Sequence, residues 1–136
     1  MPDGYAVELQ KALVAALRDD SGVTGRVSTR IYDHVPQGVT RPYLQIGGII
    51  PRPLRTDGKA AASMTFGIEA HSRPVKSGRV EATRCIEAVV AALDEVPMTV
   101  TGFTPVLVQW LTQDVTKDDD GESYTAIAVF QVILDG

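Results

Sequence analysis

Between Met64 and Leu93 the hydrophobic period of the chain changes once, from two residues to about 3.6, and that switch restricts its fold more than any other feature. Met64, Phe66, Ile68 and Ala70 alternate with Thr65, Gly67, Glu69 and His71, the pattern of a β-strand with one buried face. After Ala82, the apolar residues Ile86, Val89, Val90 and Leu93 recur at helical spacing. At 100° per residue they form one stripe, with Arg84, Glu87, Ala91 and Asp94 opposite. The turn between strand and helix carries Pro74 and Gly78, and Ser77 is the expected N-cap. A strand feeding an amphipathic helix implies a small α/β fold, and periodicity alone says nothing of its use.

The flanking segments extend this pattern. Tyr5, Ala6, Leu9, Ala12, Leu13, Ala16 and Leu17 share one face of a first helix, with Asp3 as its expected cap and an end between Asp19 and Gly22. The opposite face holds Lys11 and Arg18 but also Val7 and Val14, two apolar residues that make a candidate partner surface. Gly22 to Arg26 reads as a loop, Arg30 to Tyr32 as a short strand and Pro36 to Gly38 as a turn. Pro42 opens a firmer strand from Tyr43 to Ile50, in which Gly47-Gly48 marks a bulge or a close approach of another backbone. Pro51 to Ala62 carries two prolines and the cations Arg52, Arg55 and Lys59. It reads as a long mobile hairpin loop available to a partner.

Val96-Pro97 stops the helical pattern, and Met98 to Thr101 is a further short strand. Two strands close the chain, and both are apolar on both faces. From Pro105 to Val115, Val106, Val108 and Trp110 alternate with Leu107 and Leu111. From Tyr124 to Leu134, Tyr124, Ala126, Ala128, Phe130 and Val132 alternate with Ile127, Val129 and Ile133. The expected architecture is a single α/β (α+β) domain over 1–136, ordered α-β-β-β-α-β-β, with two helices on one face of a mixed, largely antiparallel sheet. Two helices cover one side, so Leu107, Leu111, Ile127, Val129 and Ile133 call for a cover of another kind.

Composition narrows the function. A net charge of −4 and a pI near 5.1 oppose a protein built chiefly to grip nucleic acid. The single Cys85 excludes an internal disulfide, and no apolar run approaches the roughly 20 residues of a membrane span. With no signal-peptide pattern, the expectation is a soluble cytoplasmic protein without membrane contact. Lys117-Asp118-Asp119-Asp120-Gly121-Glu122 fails as a calcium loop. With Gly121 sixth, the first and twelfth positions are Thr116 and Ile127, so a charged hairpin tip is the simpler reading. His34 and His71 lack zinc-site spacing, and no Walker or nucleophile-elbow motif is present. No catalytic, cofactor or metal residue is assigned. A buried-thiol reading of Cys85 competes with a nucleophile paired to His71, with Glu69 beside it.

The series Gly25-Arg26-Val27, Arg30-Ile31-Tyr32-Asp33, Val35-Pro36-Gln37-Gly38 and Arg41-Pro42-Tyr43-Leu44-Gln45-Ile46, then His71-Ser72-Arg73, the helix Ile86 to Leu93 and a closing hairpin with an Asp-Gly tip, resembles the tail-terminator or tail-completion proteins of long-tailed bacteriophages and gene transfer agents. The resemblance spans nearly the whole chain. It implies a non-enzymatic subunit without cofactor that closes into a ring, usually a homohexamer, on the head-proximal end of the tail tube. Its implied partners are copies of itself, the tail tube protein, a head-tail connector protein and DNA that passes through without sequence-specific binding. It implies assembly in the cytoplasm and residence in the particle's tail. Two alternatives stay open: another layer of the head-tail connector, and a small oligomeric enzyme or ligand-binding protein with an intersubunit cleft.

Overall fold

The computed structural model describes residues 4–33, 35–40, 42–56, 59–72, 78–105, 107–118 and 123–135, and their side chains except those at 55, 56, 59, 60 and 105. Helix α1 spans Tyr5–Asp19 and buries Leu9, Leu13 and Leu17, spaced four apart on one face. Its N-cap is Gly4, which has no side chain to offer, and Asp3 lies outside the described residues.

Gly22 to Arg26 is not a loop. Asp20 ends α1 and caps a second helix, α2 (Ser21–Val27), by accepting a hydrogen bond from the Val23 amide at 3.1 Å. Val23 and Val27, one helical turn apart, are both buried and anchor it. Arg30 Nε then donates to the Pro42 carbonyl at 2.9 Å, tying this segment to the next strand.

Strand β1 (Ile31–Tyr32) runs parallel to β2 (Tyr43–Thr56), and every other pairing in the six-stranded sheet is antiparallel. The order is β1-β2-β3-β6, where β3 is Lys59–Ser72 and β6 is Tyr124–Asp135. Both β4 (Thr104–Pro105) and β5 (Gln109–Lys117) pair with β6, at opposite ends of its length. Helix α3 (Gly78–Leu93) follows β3 as the period switch requires. Its Ala82, Ile86 and Val89 join Met64, Phe66 and Ile68 of β3 and Ala128, Phe130 and Val132 of β6 in one buried cluster. Phe66 stacks on Phe130 with ring centroids 5.4 Å apart at the centre of that core. The expected α+β order therefore holds, with α2 and the two-residue β4 added. Ser77 lies outside the described residues, and in place of a strand at Met98 to Thr101 there is only the isolated bridge Val100 to Phe103.

The segment Pro51 to Ala62 departs from the loop reading. Pro51 pairs with Met64, Arg52 with Ser63, Pro53 with Ala62 and Leu54 with Ala61, so both strands run on almost to the turn. The prolines fit because β1 reaches only Leu44 and Gln45, which leaves the far half of β2 as a sheet edge.

Gly47-Gly48 does both things the sequence suggested. The register between β2 and β3 slips by one residue between Ile46 and Ile49. A Cβ on Gly47 would lie 2.9 Å from the Gly67 carbonyl oxygen, whereas one on Gly48 would meet nothing. Gly47→Ala should therefore destabilise the fold by about 1–3 kcal/mol, through forced backbone movement. Gly48→Ala should be neutral or stabilising by up to about 1 kcal/mol, because it restricts only the unfolded chain. Urea midpoints of the two variants check this, and equal midpoints would refute the close approach.

Candidate functional site: the open face of the sheet

The three helices share one side of the sheet, and the register of the strands defines what the other side presents. Across β2, β3, β6 and β5 its rows read Tyr43, His71, Thr125 and Thr116; then Gln45, Glu69, Ile127 and Asp114; then, past the bulge, Gly67, Val129 and Thr112; then Ile50, Thr65, Gln131 and Gln109. The face is polar at the end of Tyr43 and His71 and mixed beyond it, its apolar groups being Ile127, Val129 and Ile133 along β6 and Ile50 among polar neighbours on β2. At the polar end His71 Nε2 lies 3.1 Å from Glu69 Oε1, and its Nδ1 lies 3.3 Å from Thr125 Oγ1. Thr125 Oγ1 donates to Asp118 Oδ1 at 2.7 Å, and Tyr43 stacks on the imidazole at 4.9 Å. These contacts bind three strands side by side, with His71 held between Glu69, Thr125 and Tyr43. Along β6 Ile127, Val129 and Ile133 are half-buried, and Ile127 leans over Gly67, whose Cβ would lie 3.3 Å from its Cδ1.

The sequence-derived surface residues do not form one patch. Ile127, Val129 and Ile133 lie together on the open face. Leu107 precedes β5 and Leu111 sits at a bulge within it, both exposed. Val7 is exposed on α1, while Val14 is half-covered by the chain's own core. Arg52 is exposed on the edge strand, and the side chains of Arg55 and Lys59 lie outside the described set, as does Val106.

Among the described residues, four large exposed apolar ones, Ile50, Val80, Val96 and Trp110, are outside the sequence-derived set. Ile50 is 60% exposed on the open face, because the extra residue at Gly47-Gly48 turns Ile49 toward the core and Ile50 away from it. The glycine pair was the signal. Trp110, 43% exposed, adjoins Leu111 beside a second register shift that no sequence pattern marks.

A nucleophile on Cys85 finds no support in the geometry. Cys85 is buried on α3, on the helix side of the sheet, whereas His71 and Glu69 are on the open face. It borders a cleft of about 310 Å3 with Arg26, Glu81 and Arg84 around it. Burial pushes the thiol up to about 11, with Glu81 adding to the rise and Arg26 and Arg30 opposing it. No cluster of three metal-ligating side chains exists among the described residues, and no described helix is long and apolar enough to cross a membrane. His34 and residues 119–122 lie outside the described set. The strands on the open side present a broad sheet face.

The model of the family "Tail completion protein gp17" matches residues 11–135. The chain belongs to that family, and is thus a structural protein of phage-type tails. It is similar to a chain in the solved virion of a native gene transfer agent particle, at 23% identity and a TM-score of 0.88, over 96% of this chain and 97% of that one. A second solved chain shares the fold at 13% identity and a TM-score of 0.63, over 97% and 96%. No match was found among curated proteins.

The state of Cys85 gives a direct prediction. At pH 8 a thiol reagent should label the native protein far more slowly than the urea-unfolded chain, and equal rates would place the thiol in solvent. Because the folded thiol keeps its proton to about pH 11 and the unfolded one only to 9.0, its contribution to stability is complete below pH 9 and is lost as pH rises toward 11. The urea midpoint should fall across that window, and in Cys85→Ala that part of the fall should be absent.

Proposed function

We propose that the chain is the terminator subunit of a phage-like tail. Copies close into a ring, a hexamer, at the head-proximal end of the tail tube, stop tube polymerisation and present a surface to the head connector. Family membership over residues 11–135 carries this reading. The likeness to a chain of a gene transfer agent virion supports residence in a particle of that kind. The physical complement is the open face, where Ile50, Ile127, Val129 and Ile133 are left partly wet. Each would gain a part of the roughly 1.5 to 3 kcal/mol that full burial gives a wholly exposed side chain, and the sum over four is large for a domain of ordinary marginal stability.

Leu107 and Leu111 add exposed apolar groups before and at the bulge of β5, and a head-to-tail contact between unlike patches generates a ring when the rotation closes. Assembly takes place in the cytoplasm, the tube and connector proteins are the partners, and the net charge of −4 suits DNA that passes without being held.

Deleting the gene in the producing cell and imaging the lysate tests the reading. The expected result is separate filled heads and unjoined tails of irregular length. Unjoined tails of normal length would assign the chain to another connector layer, and normal joined particles would overturn the proposal. At the residue level, Ile50→Asp should cost only about 1 kcal/mol of stability, because the site is a mostly exposed strand position. It should nevertheless reduce the fraction of joined particles. An unchanged fraction would remove Ile50 from the contact.

A further inference from the structure

A sheet with two open edges invites strand addition, because an edge presents unpaired amide and carbonyl groups to any extended chain. Strand β5 pairs only with β6, and no described strand lies along its outer edge. It has nine residues, contains no proline and carries exposed Trp110 and Leu111. That combination ordinarily favours association of identical chains through their edges.

Two hydrogen bonds run against it. The Trp110 amide donates to Asp94 Oδ1 at 2.9 Å, across from the end of α3, and the Val115 amide donates to Asp114 Oδ1 at 2.8 Å. An amide taken up by a carboxylate is not offered to an incoming strand, and the carboxylate itself repels the strand's carbonyls. The bulge between Trp110 and Thr112 breaks the regular spacing in the same stretch.

The opposite edge is closed by another device. Pro51 and Pro53 stand two residues apart, so their missing donors fall on the same side of β2. The ladder to β3 runs through both, which puts that side outward.

We propose that Asp94 and Asp114 cap the β5 edge against strand addition by a second copy of this chain, and that with the prolines of β2 they oblige copies to meet through side chains on their faces instead of by continuing the sheet. The inference stands on these hydrogen bonds and on the strand register, independently of whether the assembly is a ring.

The test is sedimentation velocity and infrared spectroscopy on the full chain carrying Asp94→Ala and Asp114→Ala together, against a control carrying Asp19→Ala and Glu87→Ala. The control removes the same charge from exposed helix positions. The capping double variant should form larger species than the unaltered protein at equal concentration, with added intermolecular β-sheet absorption, and the control should not. Equal behaviour of the two doubles would overturn the proposal, since charge alone would then explain any association. Should the double variant fold poorly, amide exchange in the unaltered protein decides. Trp110 and Val115 should exchange severalfold more slowly than unstructured amides, and unprotected exchange at both would overturn the capping.

Discussion

The antiparallel pairing of β3 with β6 is the constraint on which the rest of the structure depends. Twelve consecutive residue pairs, from Ala61 with Asp135 to Ser72 with Tyr124, run without a slip through the middle of the sheet. That register puts Phe66 against Phe130 on the helix side and Glu69 beside Ile127 on the other. A shift of one residue would send every buried side chain of one strand into solvent. Helix α3 can dock only on the side where Met64, Phe66, Ile68, Ala128 and Phe130 converge, and α1 completes the cover with Leu9, Leu13 and Leu17. The open face is thus a by-product of a fully committed core.

Irregularity is confined to the strands that flank this pair. The slip at Gly47-Gly48 lies on β2 and the slip at Leu111 on β5, each adding one residue opposite an unbroken partner. Both increase local twist and both re-aim an apolar side chain. Ile50 goes to the open face by the first, and Leu111 is left exposed by the second. Both bulges thus bear on which apolar groups the chain withholds from its own core.

Local signals in the sequence were enough for the strand and helix between Met64 and Leu93, for α1 and for the paired faces of β6, because those elements are long and their periods are clean. Helix α2 was hidden by Gly22 and Gly25, which suggest a turn, although Asp20 and the four-residue spacing of Val23 and Val27 were there to be read. Pro51 and Pro53 read as loop formers, since sequence cannot tell that the half-strand carrying them has a partner on one side only. Ile50 required following the parity of the strand through the glycine pair. Asp94 as a cap for the Trp110 amide was out of reach, because the two residues are 16 apart and no period links a helix end to a sheet edge. Family membership was legible in the order of short motifs around Tyr32, Gly38 and Tyr43, none of them catalytic.

The proposed function turns on a ring between tail tube and head in which the open sheet face of each copy is covered by a neighbour. Electron cryomicroscopy of the head-tail joint in purified particles measures this most directly. The expected result is a closed ring of copies at the head-proximal end of the tube, with Ile50, Ile127 and Val129 of each copy excluded from solvent by the next. A chain found elsewhere in the particle, or a ring in which that face is bare, would contradict it.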